Sequence, residues 1–379
     1  MWRLFTKNDK AEKSLMTHVY IPKFKPIVQY HRFNEQLYFK AAGKAKAIAD
    51  PSGFIYSLCQ LIDGKKSVEL IKSTLKNQYP QEVNYLEEAL RVFDENYLLE
   101  DAFLSMPAAL TDYDAKRWSR NIELFGLYSK INENKYAHQL RLKTIKVALF
   151  GLGGLGSHIL YDLVAIGVQN IRAVDYDKVE LSNLNRQILY NETDLGTSKT
   201  EAAKKRIDQF LPSNNITFIN KKITSEHDIG LIIKDCEIAI CVADKPKKEM
   251  LGWLNAACVK HKVIFINGGV DVNRALYTTV SPGETGCIEC WKSNVAQKDS
   301  LAHELLQLEP AEDSPDAPAV VNFVSLLTGL MLTEFLKIAT KISRPQALGR
   351  LMSVDFDTVQ IVEAESWEKN PECLVCGAH

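Results

Sequence analysis

Four glycines interrupt an apolar run in VALFGLGGLGSHIL, residues 147–160: Gly151, Gly153, Gly154 and Gly156. A strand that turns through glycines into a helix leaves unpaired backbone N–H groups at the helix start, where an anion is stabilised. The first glycine permits the tight turn and the second lets a phosphate approach the backbone. The third lets the helix pack closely on its strand. By itself such a turn suits a dinucleotide, a mononucleotide or no ligand. Asp175 ends the next apolar stretch, IRAVD, where a carboxylate can accept from ribose hydroxyls. Either kind of nucleotide satisfies it. Further along stand two Cys-x-x-Cys pairs, Cys287 and Cys290 in GCIEC and Cys373 and Cys376 in PECLVCG. Each short turn offers two thiolates to one ion, and together they supply the four ligands of a tetrahedral structural Zn2+. Such a site would staple the C-terminus to the body of its domain.

Groups so far apart in sequence need a scaffold, and 379 residues are enough for two domains with separate cores. Hydrophobic residues make up 46% and charged residues 25%, with a formal net charge of −1. That balance gives no whole-chain attraction to nucleic acid or to an anionic membrane surface. The opening MWRLFTKNDKAEKS lacks the apolar stretch of a secretory signal. The apolar segment AVVNFVSLLTGLMLTEFLKIA carries Asn322, Ser325, Thr328 and Glu334, which predicts a core or interface helix rather than a membrane span. The eight cysteines then read as thiols or metal ligands in a cytoplasmic protein.

Residues 17–57 show short β-branched and aromatic runs separated by turn residues, which predict strands. From Gly53 the period becomes helical, through GFIYSLCQLIDG, then SVELIKSTLKNQY with Ser67 as its cap, then QEVNYLEEALRVFDENYLLED. Strands followed by three amphipathic helices predict a small winged-helix-like domain over residues 1–109. The stretch LSMPAALTDYDAKRW reads as a linker. Over 110–379, apolar strands alternate with helices: TIKVALFG, IRAVDYD, ITFINKKI, CEIAICVA and VIFINGGV. That alternation predicts an α/β domain with a doubly wound, largely parallel, Rossmann-like sheet.

Residues beyond the glycine turn choose among its ligands. DYDKVELSNLNRQ, LGTSKTEAAKKR and CVADKP occur in that order. The set resembles the ThiF/MoeB/E1-like adenylating superfamily, which includes molybdopterin- and thiamine-pathway activators and ubiquitin-type activating enzymes. The resemblance implies an ATP site in which Asp175 binds ribose and Asn183, Arg186, Gln187 and Lys199 surround the phosphates. It also implies that Asp244 holds Mg2+ near the α-phosphate. The chemistry agrees, since a carboxylate attacking a polyanion needs fixed cations and a metal that offsets charge on leaving pyrophosphate. KRWSRN resembles that superfamily's R-x-x-R segment, which implies a homodimer in which Arg120 reaches the partner's ATP site, with Arg117 beside it. The superfamily also carries a zinc site of four cysteines in the same places. From Trp291 to Ala319, where thioester-forming relatives carry a reactive cysteine, there is none.

Within the superfamily the chain resembles the peptide-maturing branch, the microcin C and pantocin A type of enzyme, over most of its length. The shared features are a domain ahead of RWSRN, the VADKP variant and INGGVDVNRALYTTVSPGETGCIEC. LCQLIDGKKSVELIKSTL and ALRVFDENYLLED resemble a PqqD-like leader-recognition domain, which binds a precursor peptide as an added strand. The resemblance implies adenylation of a carboxylate on a ribosomally made precursor peptide, followed by intramolecular capture. Either glutamate side chains cyclise or the C-terminus is nucleotidylated. Activation of the C-terminal Gly of a sulfur-carrier protein and a non-catalytic peptide-binding scaffold are the alternatives. The loop 291–319, with Glu309, Glu312, Asp313 and Asp316, is expected to border the peptide channel.

Overall fold

A computed structural model describes residues 20–41, 43–298, 304 and 318–377. The acidic residues 309, 312, 313 and 316 lie outside the described residues. The chain divides into two compact units, one ending at Leu140 and one starting at Arg141.

In the first unit, β1 (Pro22–Phe24) pairs antiparallel with β5 (Leu99–Asp101). β2 (Gln29–Phe33), β3 (Gln36–Ala41) and β4 (Lys44–Ala49) form an antiparallel sheet in that order. Three helices follow: α1 (Phe54–Leu61), α2 (Val68–Lys76) and α3 (Leu86–Glu95). Sequence explains their starts. The Asp50 carboxylate accepts from Ile55 N and Tyr56 N at 3.0 Å each, and the Ser67 hydroxyl accepts from Leu70 N. Leu37 and Phe39 from the sheet meet Leu58, Ile71, Leu86 and Phe93 from the helices in one buried core. The expected linker contains a helix, α4 (Asp112–Arg117), begun by a reciprocal cap between Thr111 and Asp114. α5 (Ser119–Gly126) follows, and Ile131 enters the same core. The segment after residue 110 therefore packs with the first unit. Lys25, 4% exposed, donates from Nζ to the Ser129 carbonyl at 2.6 Å and ties the two stretches together.

The second unit is built on one sheet. Its strands are β6 (Lys146–Phe150), β7 (Asn170–Asp175), β8 (Asn215–Asn220), β9 (Ile238–Cys241), β10 (Ile264–Asp271), β11 (Arg274–Val280), β12 (Arg350–Asp355) and β13 (Ile361–Ser366). Their order is β13-β12-β11-β10-β9-β6-β7-β8, parallel from β10 to β8 and antiparallel from β10 to β13. β6 lies centrally, with β7 on one side and β9 on the other, so the connections reverse direction at β6. The carboxyl ends of strands flanking such a switch point leave a crevice for a ligand.

Four helices cover the parallel strands: α7 (Gly154–Ala165), α8 (Lys199–Phe210), α9 (Glu226–Ile233) and α10 (Met250–His261). α6 (Ala137–Thr144) precedes β6, and α11 (Ile288–Lys298) follows β11. α12 (Val321–Thr340) is long and apolar enough to cross a membrane by length and composition, and half of that window is buried. It packs on α7, β10 and β11. Its Glu334, 2% exposed, accepts from Ala347 N and pairs with Lys337, as a core helix requires.

Candidate active site

The glycine turn leaves β6 and enters α7 at the switch point. Gly151 adopts φ +93°, and a Cβ there would lie 2.8 Å from Ala243 N at the exit of β9. Only glycine combines that dihedral with that proximity. Three hydrogen bonds fix the turn. Gly151 N donates to Val174 O, Leu152 N to Asp175 Oδ2 at 2.6 Å, and the Tyr190 hydroxyl to Leu152 O at 2.8 Å. Burial pushes the Tyr190 hydroxyl well above its ordinary pKa, so it remains a neutral donor. A Cβ on Gly156 would fall 1.8 Å from Gly151 O, so this glycine lets the helix close on the strand.

The crevice is a cavity of about 260 Å³. It brings together Gly151, Gly153, Gly154, Asp175, Arg186, Gln187, Lys199 and Asp244 from across some ninety residues of sequence. The start of α7, with its free N–H groups, opens on one side. Arg186 lies along it, its Nε 3.4 Å from where a Gly154 Cβ would stand. Asp175 accepts backbone N–H bonds on both oxygens, from Leu152 and from Asp177 at 2.8 Å, which locks its orientation. Asp244 follows β9 on the opposite lip. Burial and then Asp177 raise the pKa of the Tyr176 hydroxyl, with Lys245 opposing and Asp175 and Asp244 adding to the rise.

Lys199 opens α8 and is 6% exposed. Its Nζ pairs with Asp177 Oδ2 at 2.9 Å, and its backbone N donates to Asp177 O at 2.8 Å. Asp177, whose role the motifs did not reveal, therefore holds the ammonium at the cavity wall. The second acid of D-Y-D was the available signal. His158 went unnoticed as well. It is 7% exposed, and its Nε2 lies 3.1 Å from the carbonyl of Arg186, a residue that lines the cavity.

Asn183 and Gly156 do not line the cavity. Asn183 closes a 3-10 turn, accepts from Glu180 N, and its carbonyl takes the N–H groups of Arg186 and Gln187. It thereby places the residues that do line it. Arg120 lies in the first unit on α5, its side chain 91% exposed and paired with Glu123 at 3.1 Å. Arg117 stacks on Tyr113 and Trp118 in the same unit.

The four cysteines converge. Cys287 Sγ lies 3.6 Å from Cys373 Sγ, Cys290 Sγ lies 3.3 Å from Cys376 Sγ, and all four sulfurs fall within 4.8 Å of one another. A tetrahedral ion with Zn–S near 2.3 Å separates its sulfurs by about 3.8 Å. The donor set thus fits zinc in both chemistry and spacing. Burial raises the Cys287 thiol, so thiolates there need a cation to hold them.

A doubly wound sheet with a glycine turn, cationic side chains and clustered carboxylates around a cavity at its switch point is the geometry of a nucleotide-binding α/β domain. The chain belongs to the ThiF family, whose model matches residues 120–375. It is 29% identical to the molybdopterin-synthase adenylyltransferase of Escherichia coli over 71% of this chain and 99% of that one. It is 27% identical to the vegetative HesA protein of Trichormus variabilis, over 71% of this chain and 92% of the relative. Among solved structures, E. coli MccB with succinimide aligns over 94% of this chain and 99% of its own, at TM-score 0.75 and 23% identity. PaaA aligns over 91% and 100%, at TM-score 0.70 and 20% identity. The protein is therefore an ATP-dependent adenylyl-transferring enzyme.

Proposed function

We propose that this enzyme adenylates a carboxylate on a ribosomally made precursor peptide. The observation that carries the reading is the extent of the structural likeness. The match to MccB covers 94% of this chain, well beyond the 120–375 ThiF segment, and MccB has been solved with N-formylated MccA. The sheet β2-β3-β4 with α1–α3 is the candidate leader-recognition domain, since a free strand edge can take up a peptide by main-chain hydrogen bonds.

In this reading ATP lies with its ribose at Asp175 and its phosphates along the start of α7, Arg186, Gln187 and Lys199. Asp244 is the residue that would hold Mg2+, which supplies charge neutralisation on departing pyrophosphate. The peptide carboxylate oxygen attacks the α-phosphorus, the bond to the β-phosphate oxygen breaks, and acyl-adenylate and pyrophosphate form. Lys199 and Arg186 stabilise the charge that moves onto the leaving group. An amide or carbon nucleophile of the same peptide, held close by, then attacks the acyl carbon and gives up its proton, and the bond to the phosphate oxygen breaks to release AMP. Cys287, Cys290, Cys373 and Cys376 would hold a structural Zn2+. Arg120 completes the partner's site in a cytoplasmic homodimer.

The 29% identity to a molybdopterin-synthase adenylyltransferase favours a second reading, activation of a carrier protein's C-terminal glycine. ATP–pyrophosphate exchange decides between them. The substrates are a peptide ending in Asn, one ending in Gly-Gly, and one with adjacent internal glutamates behind a leader. Exchange with the first or third is expected. Exchange with the Gly-Gly peptide alone overturns the proposal.

A further inference from the structure

We infer that the face of β10, β11 and β12 beside the nucleotide cavity seats the carboxylate-bearing end of the acceptor and selects an apolar residue next to the activated carboxylate. This rests on the peptide adenylation proposed above and adds where the substrate lies and which side chain it carries.

A second cavity, about 530 Å³, adjoins the first, and Gly269 and Val270 line both. Among the described residues, a Cβ on Gly269 would meet no atom within 4 Å, so none of them closes the passage between the two cavities there. Strand register builds the floor. Asn267 lies opposite Thr278, and Thr278 opposite Leu351, forming the inner row. Two residues outward, Gly269, Leu276 and Ser353 form the middle row. Residues two apart on a strand share a face, so the rows make one surface. Asp271, Arg274 and Asp355 end it in a charged outer row, where a further cavity of about 590 Å³ begins. From Asn267 to Asp271 the floor spans about 13 Å, the length of four extended residues.

The walls are aromatic. Trp291 and Trp367 stand with ring centroids 6.2 Å apart. Their indole N–H groups are committed elsewhere, to Glu365 Oε2 at 2.6 Å and Gly286 O at 3.0 Å. Their rings therefore offer apolar surface in a fixed geometry. Thr278 is 4% exposed, and its Oγ1 has no hydrogen-bond partner among the described residues. An orphaned hydroxyl in a cavity wall costs stability unless a ligand satisfies it. Together these features fit a short extended peptide end. Its carboxylate passes Gly269 toward the α-phosphate, an apolar side chain lies between Leu276, Leu351 and the tryptophans, and polar residues trail over the outer row.

The test is calorimetric binding of acetyl-Leu-Asn and acetyl-Lys-Asn to the full chain loaded with a non-hydrolysable ATP analogue. Acetyl-Leu-Asn is expected to bind at least about tenfold more tightly, from apolar burial alone. Ser353→Trp fills the middle row and is expected to abolish that binding while the affinity for the ATP analogue stays within about twofold. Thr278→Val, a small change that does not depend on how the fold tolerates tryptophan, is expected to weaken the dipeptide about tenfold. A purely structural Thr278 would instead raise the thermal midpoint and leave dipeptide binding alone. Equal or absent binding of the two dipeptides, or folded variants that bind as wild type does, overturns the inference. Dipeptide binding as expected without exchange on any peptide sinks the peptide reading and leaves the groove standing. Exchange without the dipeptide pattern does the reverse.

Discussion

Two glycines of the turn should fail in different ways when replaced by alanine, and the difference tests the assignment of the cavity. At Gly156 the new Cβ would stand 1.8 Å from Gly151 O and 2.6 Å from its carbonyl carbon. A carbon–oxygen contact tolerates no less than about 3.3 Å, so α7 must withdraw by about 1.5 Å. That shift costs about 1–3 kcal/mol as overpacking. It also moves the N–H groups of Gly153 and Gly154 away from the proposed phosphate position. Misplacement on this scale lowers turnover about 100-fold. At Gly153 the nearest atom to a new Cβ is Gln187 Nε2 at 3.9 Å, so the protein has room. Gly153 lines the cavity, however, and its Cβ would occupy space that the proposed ATP phosphates need. Gly153→Ala is therefore expected to keep its stability within about 1 kcal/mol of wild type. Its ATP affinity should fall at least about tenfold. Thermal melting with and without ATP, calorimetric ATP binding and pyrophosphate exchange separate the two variants. Exchange by Gly156→Ala within about threefold of wild type would overturn this account of the turn. So would a Gly153→Ala protein destabilised as much as Gly156→Ala without loss of ATP binding.

Two further perturbations address the scaffold. Cys373→Ser or prolonged chelation should remove the ion that the four thiols fit, destabilising the second unit by about 3 kcal/mol or more; a melting point unchanged by both, with no zinc in elemental analysis, would exclude a structural metal. Burial lowers the Lys25 pKa from 10.5 to about 8, so the unfolded chain binds more protons between those values and stability from this group rises with pH across that window. Lys25→Met should accordingly lose ground to wild type as the pH is raised above about 8; a constant difference between the two melting curves would show that Lys25 does not titrate there.

The second unit and its site were largely legible in the sequence, and the reason is local. A glycine turn, an acid at the end of the next strand and Cys-x-x-Cys pairs act through spacings of a few residues. Those residues arrive together whenever the strands and helices form. The doubly wound sheet followed from alternating apolar runs, and the Ser67 cap followed from one hydroxyl ahead of a helical period. The break between units was less legible. Thr111 and Asp114 begin a helix where a linker was expected, and Ile131 packs into the first unit's core. A short polar stretch does not announce which core its few apolar residues will join.

What spacing could not reveal depends on pairing between distant segments. Asp177 meets the Lys199 ammonium because the bridge between Lys178 and Ser198 brings the start of α8 back to the end of β7. His158 on α7 reaches the Arg186 carbonyl only because the segment after β7 returns to that helix. The row Gly269, Leu276 and Ser353 exists because β10, β11 and β12 pair in one register, and a slip of one residue would turn those side chains to the other face. Residue order alone marked the glycine turn, the acid that ends β7 and the two Cys-x-x-Cys pairs, since all of them are written in short motifs. How Lys199 is held and which cavity adjoins the glycine turn were decided only on folding, because strand register is a property of the assembled sheet.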